Sequence, residues 1–163
     1  MSDDILLLEH FLPYRLNRLA DAASREFSTI YRDRYGLTRP EWRTLATLGQ
    51  FGTTTATAIG AHSAMHKTKV SRAVFELEKR KWLVRTTDGH DRRVEHLSLT
   101  PAGLRTYRDL IPLARAFETR FLAALDARER TAIVEAITLL EQAAGLHKPR
   151  SKAASAAGAS QPI

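Results

Sequence analysis

Two runs of apolar and β-branched residues, WLVRT and VEHLSL, flank the stretch TDGHDRR at residues 87–93, in a chain whose other segments carry helical spacing. Rough alternation within each run, and the Asp88-Gly89 turn signal between them, predict a β-hairpin. A turn needs polar residues, but it does not need Arg92 beside Arg93. That pair repels itself unless Asp91 braces it or an anion receives it.

Around the hairpin the spacing is helical. Leu12, Leu16, Leu19, Ala23, Phe27 and Ile30 line one face of a helix that begins near His10 or bends at Pro13 and closes at Tyr35-Gly36. Thr38 and Glu41 form a capping-box pattern with Pro40 in the first turn. The helix they open reaches about Leu48, with Trp42, Leu45 and Leu48 inward, and a turn follows over Gly49-Gln50-Phe51-Gly52. A short helix is expected from about Thr55 to His62. Another starts near Met65, with Val70, Val74 and Leu77 on its apolar stripe. After the hairpin, Thr100 as N-cap and Pro101 open a helix to about Leu125, with a kink expected at Pro112. Asp126 and Glu129 form a second capping box, and a last helix carries Ile133, Val134, Ile137 and Leu140 to Gly145.

Charge says what this arrangement is for. The chain has a formal net charge of +7 over 163 residues. Nine basic residues lie between His62 and Arg93 (Lys67, Lys69, Arg72, Lys79, Arg80, Lys81, Arg85, Arg92, Arg93) against four acidic ones (Glu76, Glu78, Asp88, Asp91). Lys148, Arg150 and Lys152 add to this in a tail with no acid, and the remainder is about neutral. A concentrated patch suits a polyanion, a solvated basic face being the plain alternative. The absence of cysteine excludes disulfides and thiolate metal sites. No stretch approaches the roughly 20 apolar residues of a membrane span, so a soluble, cytoplasmic protein is expected.

A short helix, a tight connection, a helix polar at its start and then a cationic hairpin form a winged helix-turn-helix. In that arrangement the second helix enters the major groove while the wing reaches the neighbouring minor groove. Arg92 and Arg93 would face the negative potential of that groove, with Asp91 orienting one of them.

The segments LTRPEWRTLATL, KVSRAVFELEKRKWLVR, DGHDRR and LSLTPAG, in this order and spacing, resemble the MarR family of winged-helix transcriptional regulators. The resemblance covers about residues 10–146. FLPYRL together with LTRPEW is most similar to members that control aromatic-acid catabolism, those of phenolic or hydroxylated pyridine carboxylates. The resemblance implies a mainly α fold with a small β-hairpin wing, in which the first and last helices form a dimerisation domain. Residues 1–147 would be one domain, with dimerisation helices at about 1–35 and 100–146 and a DNA-binding head at about 38–99. Residues 148–163 would be a disordered basic tail. The partners implied are a double-stranded operator, a second copy of the chain and a small aromatic acid, with no cofactor.

Carried over residue by residue, Lys67, Thr68, Lys69, Ser71 and Arg72 occupy recognition-helix positions, and Asp91, Arg92 and Arg93 the wing. Arg72 could pair bidentately with guanine, while Lys67 and Lys69 hold phosphates. Three residues depart from the family pattern. His66 stands where a capping Ser or Asp is usual, His90 where the wing often has arginine, and Lys81 where glycine is common before the first strand.

A planar aromatic acid needs an apolar slot, a cation and a hydrogen-bond partner. His10, Tyr14, Arg15, Arg18, Trp42 and Arg43 lie where family pockets form between the dimer helices and the head, although Trp42 also fits a core position and Arg15 and Arg18 a surface. His62 and His66 have a ligand-like spacing that the expected turn between them breaks, so no metal is expected. No phosphate loop and no nucleophile paired with a base appears, which argues against an enzyme. The function expected is a homodimeric repressor released from a pseudopalindromic operator by a small aromatic acid. A ligand-independent regulator and a basic helical protein-interaction module are the alternatives.

Overall fold

The computed structural model describes residues 5–89 and 91–146. The tail expected to be disordered at 148–163, together with His90 and His147, lies outside the described residues. The chain divides into two compact units, Met1–Phe121 and Leu122–Ile163.

In the first unit the order is α1 (Leu12–Tyr35), α2 (Arg39–Phe51), α3 (Ala56–Ser63), α4 (Lys67–Lys79), β1 (Leu83–Thr87), β2 (Glu95–Leu99) and α5 (Pro101–Phe121). Pro13 lies in the first turn of α1, where a missing N–H costs nothing. Gly36 ends that helix in the left-handed conformation, its N–H donating to Arg32. The Thr38 capping box is complete, the Thr38 N–H donating to the Glu41 carboxylate and the Glu41 N–H to Thr38 Oγ1.

The core collects Tyr31, Leu37, Leu45, Leu48, Ile59, Val70, Val74, Leu77, Leu83, Leu97 and Leu110 from every helix and strand of this unit. β1 and β2 pair antiparallel, with Leu83 opposite Leu99 and Arg85 opposite Leu97. Thr54, just ahead of α3, adds a bridge to Leu97 through two backbone hydrogen bonds of 3.0 and 2.7 Å. This bridge ties the entry of the helix-turn-helix to the hairpin.

Three boundaries differ from expectation. The second helix runs through Gly49 to Phe51 instead of stopping at Leu48, because Gly49 is a packing glycine: a Cβ there would enter the Tyr107 ring of α5. The turn itself is made by Gly52, at φ 74°. The fifth helix ends at Phe121 rather than Leu125 and contains Pro112. The hairpin strands, Leu83–Thr87 and Glu95–Leu99, each start one residue later than the runs WLVRT and VEHLSL and are joined by a loop. That loop has its own hydrogen bonds. Asp88 N donates to Val94 O at 2.9 Å, Val94 N to Asp91 O at 2.9 Å, and Asp91 N to the Asp88 carboxylate at 3.0 Å. Aspartate side chains commonly accept from backbone N–H groups a few residues on in this way.

The second unit holds α6 (Ala127–Ala143), started by the reciprocal Asp126–Glu129 capping box and stopped at Gly145, φ 70°. None of its residues is buried, and Val134, Ile137 and Leu139 are exposed.

Candidate nucleic-acid interface

α4 has one buried stripe, made by Val70, Ala73, Val74 and Leu77. At about 100° per residue, the opposite face carries Thr68, Arg72, Phe75 and Lys79, with Ser71 beside them and Lys67 and Lys69 on the two flanks. All seven side chains are exposed. The helix start is sound despite its unusual cap: His66 Nδ1 accepts from Thr68 N at 3.5 Å. Behind it, Gly60 of α3 allows the Met65 carbonyl to approach to 3.1 Å of where a Cβ would stand, which keeps α3 and α4 tightly joined.

Not every cation of the basic segment belongs to this surface. Arg80 donates to the Tyr35 and Gly36 carbonyls at 2.6 and 2.9 Å, closing the C-terminus of α1, and lies 3.8 Å from the buried Glu41. Arg85 bridges Glu78 and Glu95 at 2.8 Å each, and the Glu78 carboxylate foremost holds its guanidinium even more firmly protonated than usual. These two are structural. Lys67, Lys69, Arg72, Lys79, Lys81, Arg92 and Arg93 remain, all exposed and with no ion pair among the described residues.

In the wing, Asp91 makes no ion pair with a guanidinium among the described residues. Its carboxylate accepts from the Arg93 backbone N–H at 2.9 Å, which shapes the loop and leaves both arginine side chains outward. His96 on β2 reaches the Asp88 carboxylate at 2.9 Å and pins the other end of the loop.

The ligand candidates are divided. Trp42 and Arg43 line a cavity of about 390 Å³ with Ala46, Thr47 and Gln50 of α2 and His62, Ser63 and Ala64 at the end of α3. Trp42 also serves the core, stacked on Tyr31 at 5.8 Å and edge-on to Phe27 at 5.3 Å. Arg43 donates to the Ser63 carbonyl at 3.0 Å. His10, just before α1, and Tyr14, Arg15 and Arg18 in its first turns are exposed and do not line this cavity. The α3 residues were not anticipated, because nothing local marks His62, Ser63 or Ala64 as neighbours of Arg43. Phe75 went unremarked and Lys79 was counted only in the basic patch, although the spacing from Thr68 and Arg72 places both on the outward face. Among the described residues no group of three or more His, Asp or Glu side chains could hold a metal. No described helix is long and apolar enough to cross a membrane.

No curated protein matches the sequence. Solved structures do. A MarR family transcriptional regulator from Silicibacter pomeroyi is 31% identical, with 85% of this chain and 99% of that chain covered at a TM-score of 0.71. A probable transcriptional regulator from Pseudomonas aeruginosa is 26% identical, covering 82% and 99% at 0.68. The Bordetella bronchiseptica protein BpsR, whose DNA binding is regulated by 6-hydroxynicotinic acid, shares the fold at 23% identity, 78% and 98% coverage and a TM-score of 0.67. The family profile described as MarR family matches residues 35–94, the span from the end of α1 through the wing. The winged helix-turn-helix fold is thus shared with a relative that is 31% identical along nearly that relative's whole length, and the chain belongs to the MarR family of transcriptional regulators, which bind DNA and are not enzymes.

Proposed function

We propose that the protein is a sequence-specific repressor that binds a pseudopalindromic operator as a homodimer and is released by a small aromatic acid. The observation that carries the DNA-binding part is the division of the basic segment. Arg80 and Arg85 are consumed by the fold, while the cations on the outward face of α4 and in the wing make no ion pair among the described residues. In this reading Arg72, with Thr68 and Ser71, meets base edges. Lys67 and Lys69 on the flanks hold phosphates, and Arg92 and Arg93, on the loop shaped by Asp91, enter the adjacent minor groove.

Dimerisation is supported by apolar surface that one chain leaves uncovered. Leu12, Leu16 and Leu19 at the start of α1 are 46%, 39% and 56% exposed, and Val134 and Leu139 of α6 are 61% and 65% exposed. Surface of this kind on dedicated helices fits an interface with a second copy. Residues about 1–35 and 100–146 are the dimerisation segments of this proposal, and about 38–99 the DNA-binding head.

For the effector, the cavity offers the face of Trp42, the Arg43 cation and the His62 ring, a set suited to a planar carboxylate. A carboxylate there competes with the Ser63 carbonyl for Arg43. Ser63 ends α3 three residues before His66, so that exchange reaches the connection that sets α4. Full reversal from 99:1 to 1:99 needs about 5.5 kcal/mol of differential affinity, and a smaller difference gives partial release. His10, Tyr14, Arg15 and Arg18 enter the proposal as contributions that depend on the dimer.

The test is equilibrium binding of the full chain to a duplex selected from a random-sequence pool, against a scrambled duplex. Two salt concentrations are used, with and without 6-hydroxynicotinic acid and simple phenolic acids. Specific binding that one of these acids weakens, in the wild type and not in Arg43→Ala, supports the reading. Equal, salt-sensitive binding to both duplexes removes the operator claim.

A further inference from the structure

On the outward face of α4, one side chain does not fit a surface made only for phosphates. Phe75 is 59% exposed and lies on the same line as Thr68, Arg72 and Lys79. It takes part in no ring contact among the described residues. The helix buries its apolar stripe on the other side, so core packing does not require an aromatic ring at this position.

Resting on the DNA-binding reading above, we propose that Phe75 packs against the 5-methyl group of a thymine in the major groove and makes each half-site select a T·A pair there. Thymine is the base that presents an apolar group in that groove, and an aromatic side chain is a suitable partner for it. Cations on both flanks of the helix would hold it between the phosphate rows with this face toward the base edges. Phe75 is three residues beyond Arg72, an axial offset of about 4.5 Å. Successive base pairs are about 3.4 Å apart. The two side chains therefore address neighbouring positions, and the selected thymine lies within one or two base pairs of the guanine read by Arg72. The charge around Phe75 favours duplex DNA over an apolar protein partner, because such a partner would leave Arg72 and Lys79 unpaired at its edge.

The experiment replaces each thymine of the selected duplex in turn by uracil, which removes the methyl group and keeps every hydrogen-bonding atom. The wild-type chain is compared with Phe75→Ala and Arg72→Ala. At one thymine per half-site, loss of the methyl should weaken the wild type and Arg72→Ala about fourfold. Phe75→Ala should be unchanged there, and all three proteins should behave alike at other thymines. Because the ring is exposed, Phe75→Ala should melt with the wild type. Specific binding in which no thymine methyl distinguishes the wild type from Phe75→Ala overturns the inference while leaving the operator reading intact. Failure to select any duplex above bulk DNA overturns both.

Discussion

Two residues hold backbone conformations that their own side chains resist. Ala64, between α3 and α4, has φ 50°, and Lys81, before β1, has φ 60°. A Cβ crowds the following carbonyl in this left-handed region, at about 1–2 kcal/mol. Glycine relieves most of that and loses part of the gain to unfolded-state entropy. Ala64→Gly and Lys81→Gly should each stabilise the protein by about 1 kcal/mol, raising Tm by about 2–4 °C in thermal denaturation; an unchanged or lower Tm would show that the turns are unstrained.

At the same scale, Asp109 of α5 accepts a two-pronged contact from Arg34, at 2.6 and 3.2 Å, and the Tyr35 hydroxyl at 2.7 Å. The Arg34 hydrogen bonds foremost, and then that from Tyr35, hold its carboxyl below the ordinary value of 3.8. A group with a depressed folded pKa stabilises above its unfolded value and loses that contribution as pH falls through the folded one. Asp109→Asn should therefore be less stable than the wild type at neutral pH, with the gap closing below about pH 4 in denaturant titrations; a gap independent of pH would remove the linkage.

Residue roles of this kind were the least legible in the sequence. Arg80 and Arg85 read as members of a basic patch, since their partners, Tyr35 and Gly36 for one and Glu78 and Glu95 for the other, are brought to them by tertiary packing and not by local pattern. Asp91 was expected at a guanidinium, and its carboxylate accepts from the Arg93 backbone N–H.

Elements were more legible. Both capping boxes and the Gly36 stop follow from short-range chemistry that the chain carries in its order. The end of α2 was misplaced because a glycine that accommodates Tyr107 looks the same in sequence as one that turns the chain. Gly103 raises the same point for α5. Its N–H donates to Thr100 Oγ1, and a Cβ on it would strike the Trp82 carbonyl, which is backbone and cannot step aside. Gly103→Ala should separate α5 from the start of the hairpin and cost about 1–3 kcal/mol, read as a shifted denaturation midpoint; a wild-type midpoint would mean the backbone adjusts freely. The wing carries two exposed arginines, Arg92 and Arg93. If each wing arginine neutralises a phosphate, Arg93→Ala should reduce the slope of log K against log salt by about 0.9. An unchanged slope would return Arg93 to solvent.

For the whole molecule, composition and spacing carried the fold class, because the change from helical to alternating periodicity occurs once and the cations cluster beside it. The cavity proposed for the effector was not legible as a unit. Trp42 and Arg43 were within reach of local reasoning, but the cavity is completed by His62, Ser63 and Ala64, which only the packing of α3 on α2 brings to them. The apolar stripe of α1 was read as a single face, and its two halves have different fates. Phe27 and the neighbouring Tyr31 pack with the head, whereas Leu12, Leu16 and Leu19 remain uncovered.

The central claim is that two copies of α4 read successive major grooves, and methylation protection at guanine N7 tests it most directly. Wild-type protein on the selected duplex should protect one guanine in each half-site, with centres about 10–10.5 base pairs apart, and Arg72→Ala should expose both while the duplex remains bound at higher concentration. Protection that is spread evenly along the duplex, or that persists unchanged in Arg72→Ala, would contradict it.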